Sequence, residues 1–156
     1  MNHKAYMKMA IDMARFGMQK GEGGPFGAIV VKDNLIIGKG NNKVILNNDP
    51  TAHAEVVAIR DACEKLGHFQ LDGCIVYTSC EPCPMCLGAI YWARPKAVFY
   101  GCNKLDAAKI AFDDQFIYDE IETPIHARKI PFQQIGQNEA LEVFNAWASK
   151  TDKTEY

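Results

Sequence analysis

Two short segments constrain this chain more than any others: His53-Ala54-Glu55 and Glu81-Pro82-Cys83-Pro84-Met85-Cys86. Cys83 and Cys86 stand three apart at the predicted start of a helix, so their sulfurs can share one face. His53 stands at the start of another predicted helix. One imidazole and two thiolates suit Zn²⁺, which prefers nitrogen and sulfur ligands in a tetrahedron. Three protein ligands leave the fourth position for water, as a catalytic zinc requires. Helix N-termini favour negative charge and lower a cysteine's pKa, which assists ligating thiolates. Glu55 would stand beside the water as proton acceptor and donor without binding the metal itself. Even spacing of Cys80, Cys83 and Cys86 leaves a closed, four-ligand structural zinc open as an alternative. A metal-free redox motif is a weaker one, because it leaves His53-Ala54-Glu55 unexplained.

The rest of the composition narrows the class. The chain has 156 residues, enough for one domain with a proper core. Its six cysteines are too sparse for a small secreted disulfide scaffold and suit a cytoplasmic metal or catalytic protein. Cys63, Cys74 and Cys102 read as small buried hydrophobes. Lys plus Arg total 17 against 19 Asp plus Glu, a net charge of −2, which speaks against a dedicated nucleic-acid binder. No apolar run approaches the roughly 20 residues that span a bilayer, so no membrane partner is expected. The first residues lack the layout of a signal peptide.

Periodicity supplies the organisation. A helix is expected near residues 3–20, where Tyr6, Met9, Ala10, Met13 and Ala14 recur at helical spacing. Gly21 to Pro25 breaks it. Phe26 to Lys32 and Leu35 to Gly38 read as a hairpin turning at Asp33-Asn34. A polar loop through Asp49-Pro50 follows. Thr51 is a candidate N-cap for a helix ending at Gly67. Cys74 to Thr78 and Ala97 to Tyr100 read as strands around a helix from Pro84 to about Ala93. Residues 103–135 resist assignment, and a last helix is expected over Leu141 to Ala148. Alternating strands and helices predict a layered α/β domain.

The pattern H-x-E…P-C-x-x-C is the known signature of zinc deaminases. Thr51 to Glu55 and Thr78 to Cys86 identify the chain as resembling the cytidine deaminase-like superfamily. Within it, the bacterial guanine deaminases are the most similar group. Gly23-Gly24-Pro25-Phe26-Gly27, Asn48 to Thr51, Gly88 to Arg94, Phe112 to Tyr118 and the terminal Glu155-Tyr156 carry that likeness. The resemblance implies a three-layer α/β/α sandwich around a mixed five-stranded sheet, in one domain spanning residues 1–156. It assigns one zinc per subunit to His53, Cys83 and Cys86 and leaves Cys80 out. It also implies a homodimer that exchanges a C-terminal segment, about residues 130–156.

The implied reaction is hydrolysis of guanine to xanthine and ammonia, with a small purine base as partner and no stable nucleic acid. Glu55 and Asp114 would be the catalytic carboxylates. Phe26, Asn42, Ala54, Trp92 and Tyr156 would line the substrate site. Each has a plainer reading: Asn42 as a turn residue, Phe26 and Trp92 as core, Asp114 as a helix cap, Tyr156 as a frayed end. The same zinc chemistry would also serve a tRNA adenosine deaminase or a cytosine or nucleoside deaminase. A structural zinc-binding module without activity is the non-enzyme alternative.

Overall fold

A computed structural model describes residues 2–156. The chain divides into two compact units, Met1–Asp114 and Gln115–Tyr156.

The first unit holds the sheet. Helix α1 (His3–Gln19) is capped by Asn2, whose side chain accepts from Ala5 N–H at 3.1 Å. Strands β1 (Gly27–Lys32) and β2 (Leu35–Asn41) form the expected hairpin. Asp33 and Asn34 both adopt positive φ, the geometry of a two-residue turn matched to strand twist. A short helix α2 (Val44–Asn47) follows, then α3 (Ala54–Leu66), β3 (Ile75–Cys80), α4 (Pro84–Ala93), β4 (Ala97–Cys102) and α5 (Lys104–Ala108). The sheet order is β2-β1-β3-β4, with β1 antiparallel to β2 and β3, and β3 parallel to β4.

Alternation along β1 divides the core. Ala28 and Val30 face the side that holds Ala54, Ala58 and Ala62 of α3 and Ala93 of α4. Ile29 and Val31 face Ala10 of α1, together with Ile75 and Tyr77. This period of two puts helices on both faces of the sheet, the expected three layers. Small residues let α3 lie against β2: a Cβ at Gly40 would stand 2.2 Å from the Ala54 carbonyl oxygen. That close approach fixes where α3 begins.

Four expectations change. Among the described residues the sheet has four strands, not five. After β4, Asn103 and Asp106 form a reciprocal capping box that starts a helix where a fifth strand could have begun. The N-cap of α3 is His53, not Thr51. Thr51 instead donates its hydroxyl and its N–H to Asp49 Oδ1, at 2.7 and 2.8 Å. The polar loop contains α2, whose four residues are too few to show a helical period. Cys102, expected in the core, is exposed on edge strand β4, whereas Cys74 is buried and Cys63 packs against the core.

The second unit comprises α6 (Gln115–Glu122), a 3₁₀ turn (Ile125–Ala127) and α7 (Gln137–Ser149). Neither of its α-helices buries a residue. No helix among the described residues is long and apolar enough to cross a membrane.

Candidate active site

Two helix starts meet at the site. His53 is the N-cap of α3 and Cys83 the N-cap of α4, both in extended backbone conformation. Pro84 follows at the first turn of α4, where its fixed φ and missing N–H suit a helix start. Cys86 lies buried one turn on. His53 Nδ1 stands 3.5 Å from the sulfur of Cys83 and 3.5 Å from that of Cys86. All three donor atoms lie within 4.8 Å of one another.

That spacing fits zinc. Bonds of about 2.0–2.1 Å to nitrogen and 2.3 Å to sulfur, at a tetrahedral angle, separate the two donors by about 3.5 Å. Donor type, donor number and spacing therefore all match a three-ligand zinc centre. Cys80 is outside the cluster. Its thiol turns toward the Asn103 carbonyl at 3.8 Å, and burial pushes its pKa up to about 11.

The sulfurs have unlike environments. A hydrogen bond from the Cys86 thiol and another from His53 outweigh burial and bring Cys83 down to about 4. Cys86 is raised, because it donates to Cys83 and is buried. The bond to Cys83 also raises the pKa of His53. These hydrogen bonds, together with the helix N-terminus, favour the thiolate form at Cys83.

Glu55 sits in the first turn of α3, beside the ligands but not among them. Its side chain is buried. Oε1 accepts from the Thr78 hydroxyl at 2.8 Å, and Oε2 lies 3.4 Å from the sulfur of Cys86. Burial raises its pKa, so this carboxyl can hold a proton more readily than an exposed one.

Asn42 follows β2 and is almost wholly buried. Its N–H donates to the Phe26 carbonyl at 2.9 Å, and its Oδ1 accepts from Val44 N–H at 3.1 Å. A Cβ at Gly23 would strike that same Oδ1 at 2.1 Å, so the glycine is what lets the loop close over the amide. The turn reading therefore holds for the oxygen of Asn42. Its neighbour Asn41 is held by Glu22 at 2.8 Å. The Phe26 and Phe112 rings meet in a T-shaped contact, with centroids 4.9 Å apart. Ala54 is fully buried beneath Gly40. Burial first, and then the charge of Cys83, raise the pKa of Asp114.

Trp92 is exposed on α4 and is not part of the ligand cluster. Tyr156 belongs to the second unit, where it is exposed. Reading the sequence did not single out Thr78. The available signal was a polar side chain in an otherwise apolar buried strand, Ile75-Val76-Tyr77-Thr78. Nor did it pair Phe112 with Phe26.

A family model described as the cytidine and deoxycytidylate deaminase zinc-binding region matches residues 1–102. The chain belongs to the cytidine and deoxycytidylate deaminase family. The matched stretch holds the candidate ligands His53, Cys83 and Cys86 as well as Glu55. The chain is 59% identical to guanine deaminase of Bacillus subtilis over 156 residues, covering 100% of both chains. The X-ray structure of that enzyme superposes with a TM-score of 0.97, covering 100% of this chain and 99% of the other. A tRNA-specific adenosine deaminase of Aquifex aeolicus is 32% identical over 96% of each chain. Guanine deaminase of Nitrosomonas europaea is 33% identical in structure comparison, with a TM-score of 0.68, covering 72% of this deaminase and 65% of the other chain.

Proposed function

We propose that this chain is a zinc-dependent guanine deaminase that hydrolyses guanine to xanthine and ammonia. The carrying observation is the buried Glu55 carboxylate, 3.4 Å from the sulfur of Cys86 yet outside the ligand cluster. The choice of guanine rests on the full-length likeness to the Bacillus subtilis enzyme. His53, Cys83 and Cys86 would hold the metal. Bound zinc supplies the acidity that makes water nucleophilic near neutral pH.

The protein side chains do the remainder. Glu55 takes a proton from the attacking water and passes protons to the purine ring nitrogen and the departing amine. A C–O bond forms at C2 of guanine, the C–N bond to the amino group breaks, and ammonia leaves. With Oδ1 committed to Val44, Asn42 has its amide NH₂ to offer an acceptor on the base. Phe26, in T-shaped contact with Phe112, offers a flat apolar face for the ring. Asp114 accepts from a ring or amino N–H. Ala54 and Trp92 complete the substrate wall.

The second element of the reading is a homodimer that exchanges its C-terminal segment, so that Tyr156 closes the partner subunit's site. Support comes from uncovered apolar surface in each unit. Phe116, Ile121, Phe144 and Trp147 are exposed in the second unit, and Tyr91 and Trp92 on α4 of the first. Apolar surface of this extent marks an association site, and a second copy of the chain is the proposed occupant. Free cysteines throughout suit a reducing cytoplasm, where purine breakdown would take place.

A tRNA adenosine deaminase is the second reading, favoured by the 32% identity over 96% of each chain. One assay separates them: ammonia release from guanine, guanosine, adenine, cytosine, cytidine and tRNA, with zinc measured in the same preparation. Guanine turnover with one zinc per chain is the expected result. Turnover of tRNA with guanine inert would replace the first reading with the second. No turnover at full zinc occupancy would favour the structural module.

A further inference from the structure

Thr78 is fully buried in the middle of β3, paired with Ala28 of β1 on one side and Tyr100 of β4 on the other. A valine has nearly the same shape and is at least as favourable in a strand, so neither packing nor strand formation calls for the hydroxyl. Its partner explains it. Thr78 Oγ1 donates to Glu55 Oε1 at 2.8 Å, across 23 residues of chain. Glu55 has two carboxylate oxygens with different surroundings. Oε1 is taken by Thr78, whereas Oε2 faces the sulfur of Cys86 at 3.4 Å. The single bond beyond Cγ is free to turn unless something holds one oxygen, because a terminal carboxylate torsion is broad.

We propose that Thr78 is a positioning residue for proton transfer: its hydroxyl pins Oε1 of Glu55, so that Oε2 is the oxygen presented to the reacting atoms. The inference rests on Glu55 acting as the proton carrier of a deaminase. A hydroxyl donating to Oε1 keeps that oxygen occupied as an acceptor. Oε2, which meets the Cys86 sulfur at 3.4 Å, is thereby kept on the side of the ligands. Strand β3 thus serves the chemistry through its middle as well as through its end. It carries the hydroxyl that orients the base, then runs through Cys80 into the loop that supplies Cys83.

The test uses the full-length zinc protein and three variants. Thr78→Val removes the donor at nearly constant shape, Thr78→Ala removes it with a cavity, and Thr78→Ser keeps it. Misplacing a reacting group by about 1 Å costs up to about 100-fold, so Val and Ala should each lower kcat for guanine by about 10- to 100-fold. KM should stay within about threefold, since the base's own contacts are untouched. Zinc per chain should equal that of the wild type. Ser should restore kcat to within about threefold of the wild type. A Val variant with wild-type kcat and full zinc overturns the proposal. So do equal kcat losses in Val, Ala and Ser, which would report packing. Failure of both Val and Ala to fold while Ser folds would assign the hydroxyl to stability and overturn it as well. If the wild type acts on another base in place of guanine, the guanine reading fails while this test proceeds on that base.

Discussion

The two units treat apolar residues in opposite ways. In the first, Ile29, Val30, Val31, Leu71, Val76 and Tyr77 are wholly buried, and the helices close onto the sheet through Ala54, Ala58 and Ala62. In the second, Phe116, Phe144 and Trp147 stand exposed on amphipathic helices that hold no fully buried residue. Each such side chain forgoes about 1.5–3 kcal/mol by staying in water. The difference teaches where each part of the function lies. The candidate metal ligands and the proposed proton carrier come from close-packed structure, which holds catalytic groups to fractions of an ångström. The second unit leaves apolar side chains at its surface, and the proposed exchange between copies would give them a partner.

The sharpest way to break this contrast is Glu55→Gln. Turnover of guanine should fall by about 10²–10⁴-fold, with zinc per chain unchanged because Glu55 lies outside the ligand set. Residual activity near the wild-type level would remove the proton carrier from the first unit. Next comes deletion of residues 150–156. Turnover should drop by about tenfold or more, while zinc content and melting temperature hold. Co-expressing this deletion with Glu55→Gln should recover activity, since one exchanged pair would then have an intact site. Absence of recovery would place the tail in its own subunit or outside the site.

Gly40→Ala tests the packing side. Its Cβ would stand 2.2 Å from the Ala54 carbonyl oxygen, so α3 must shift. Stability should fall by about 1–3 kcal/mol in denaturant titration, and zinc should bind more weakly as His53 moves with the helix. Unchanged zinc affinity would mean that the start of α3 is held by something other than this contact.

The smallest effect concerns the polar tie between β2 and α3. Asp61 accepts from Lys39 N–H at 2.8 Å and pairs with Lys65 at 2.7 Å. Burial raises its pKa, but Lys65 and the Lys39 N–H outweigh this and hold it below the ordinary carboxylate value. A depressed folded pKa adds stability above the unfolded value of about 3.9, and that stability is lost as pH falls through the folded value. Asp61→Asn should therefore cost below about 1 kcal/mol at neutral pH. Its melting temperature should converge on the wild type in acid. A gap that widens in acid would contradict the assigned sign.

Local chemistry made several elements legible. Pro84 and the cysteines marked a helix start, Gly67 marked a helix end, and Asp33-Asn34 marked the hairpin, because each acts on its own backbone. Elements decided by distant partners were less visible. Thr51 could have capped α3, but Asp49 claimed its hydroxyl. Cys80 shares the spacing of the ligands, but it ends β3 with its thiol turned to the Asn103 carbonyl. Asn103 and Asp106 hold a capping box that composition alone did not distinguish from a loop or strand. Residue identity therefore set the metal and the reaction class, because zinc selects donors by type and number, whereas the fold separated Cys80 from the three candidate ligands. Only the tertiary structure decided that Thr78 holds Glu55 and that Phe26 meets Phe112. Those contacts join strands and loops far apart in sequence, where no periodicity or spacing records which side chains will meet.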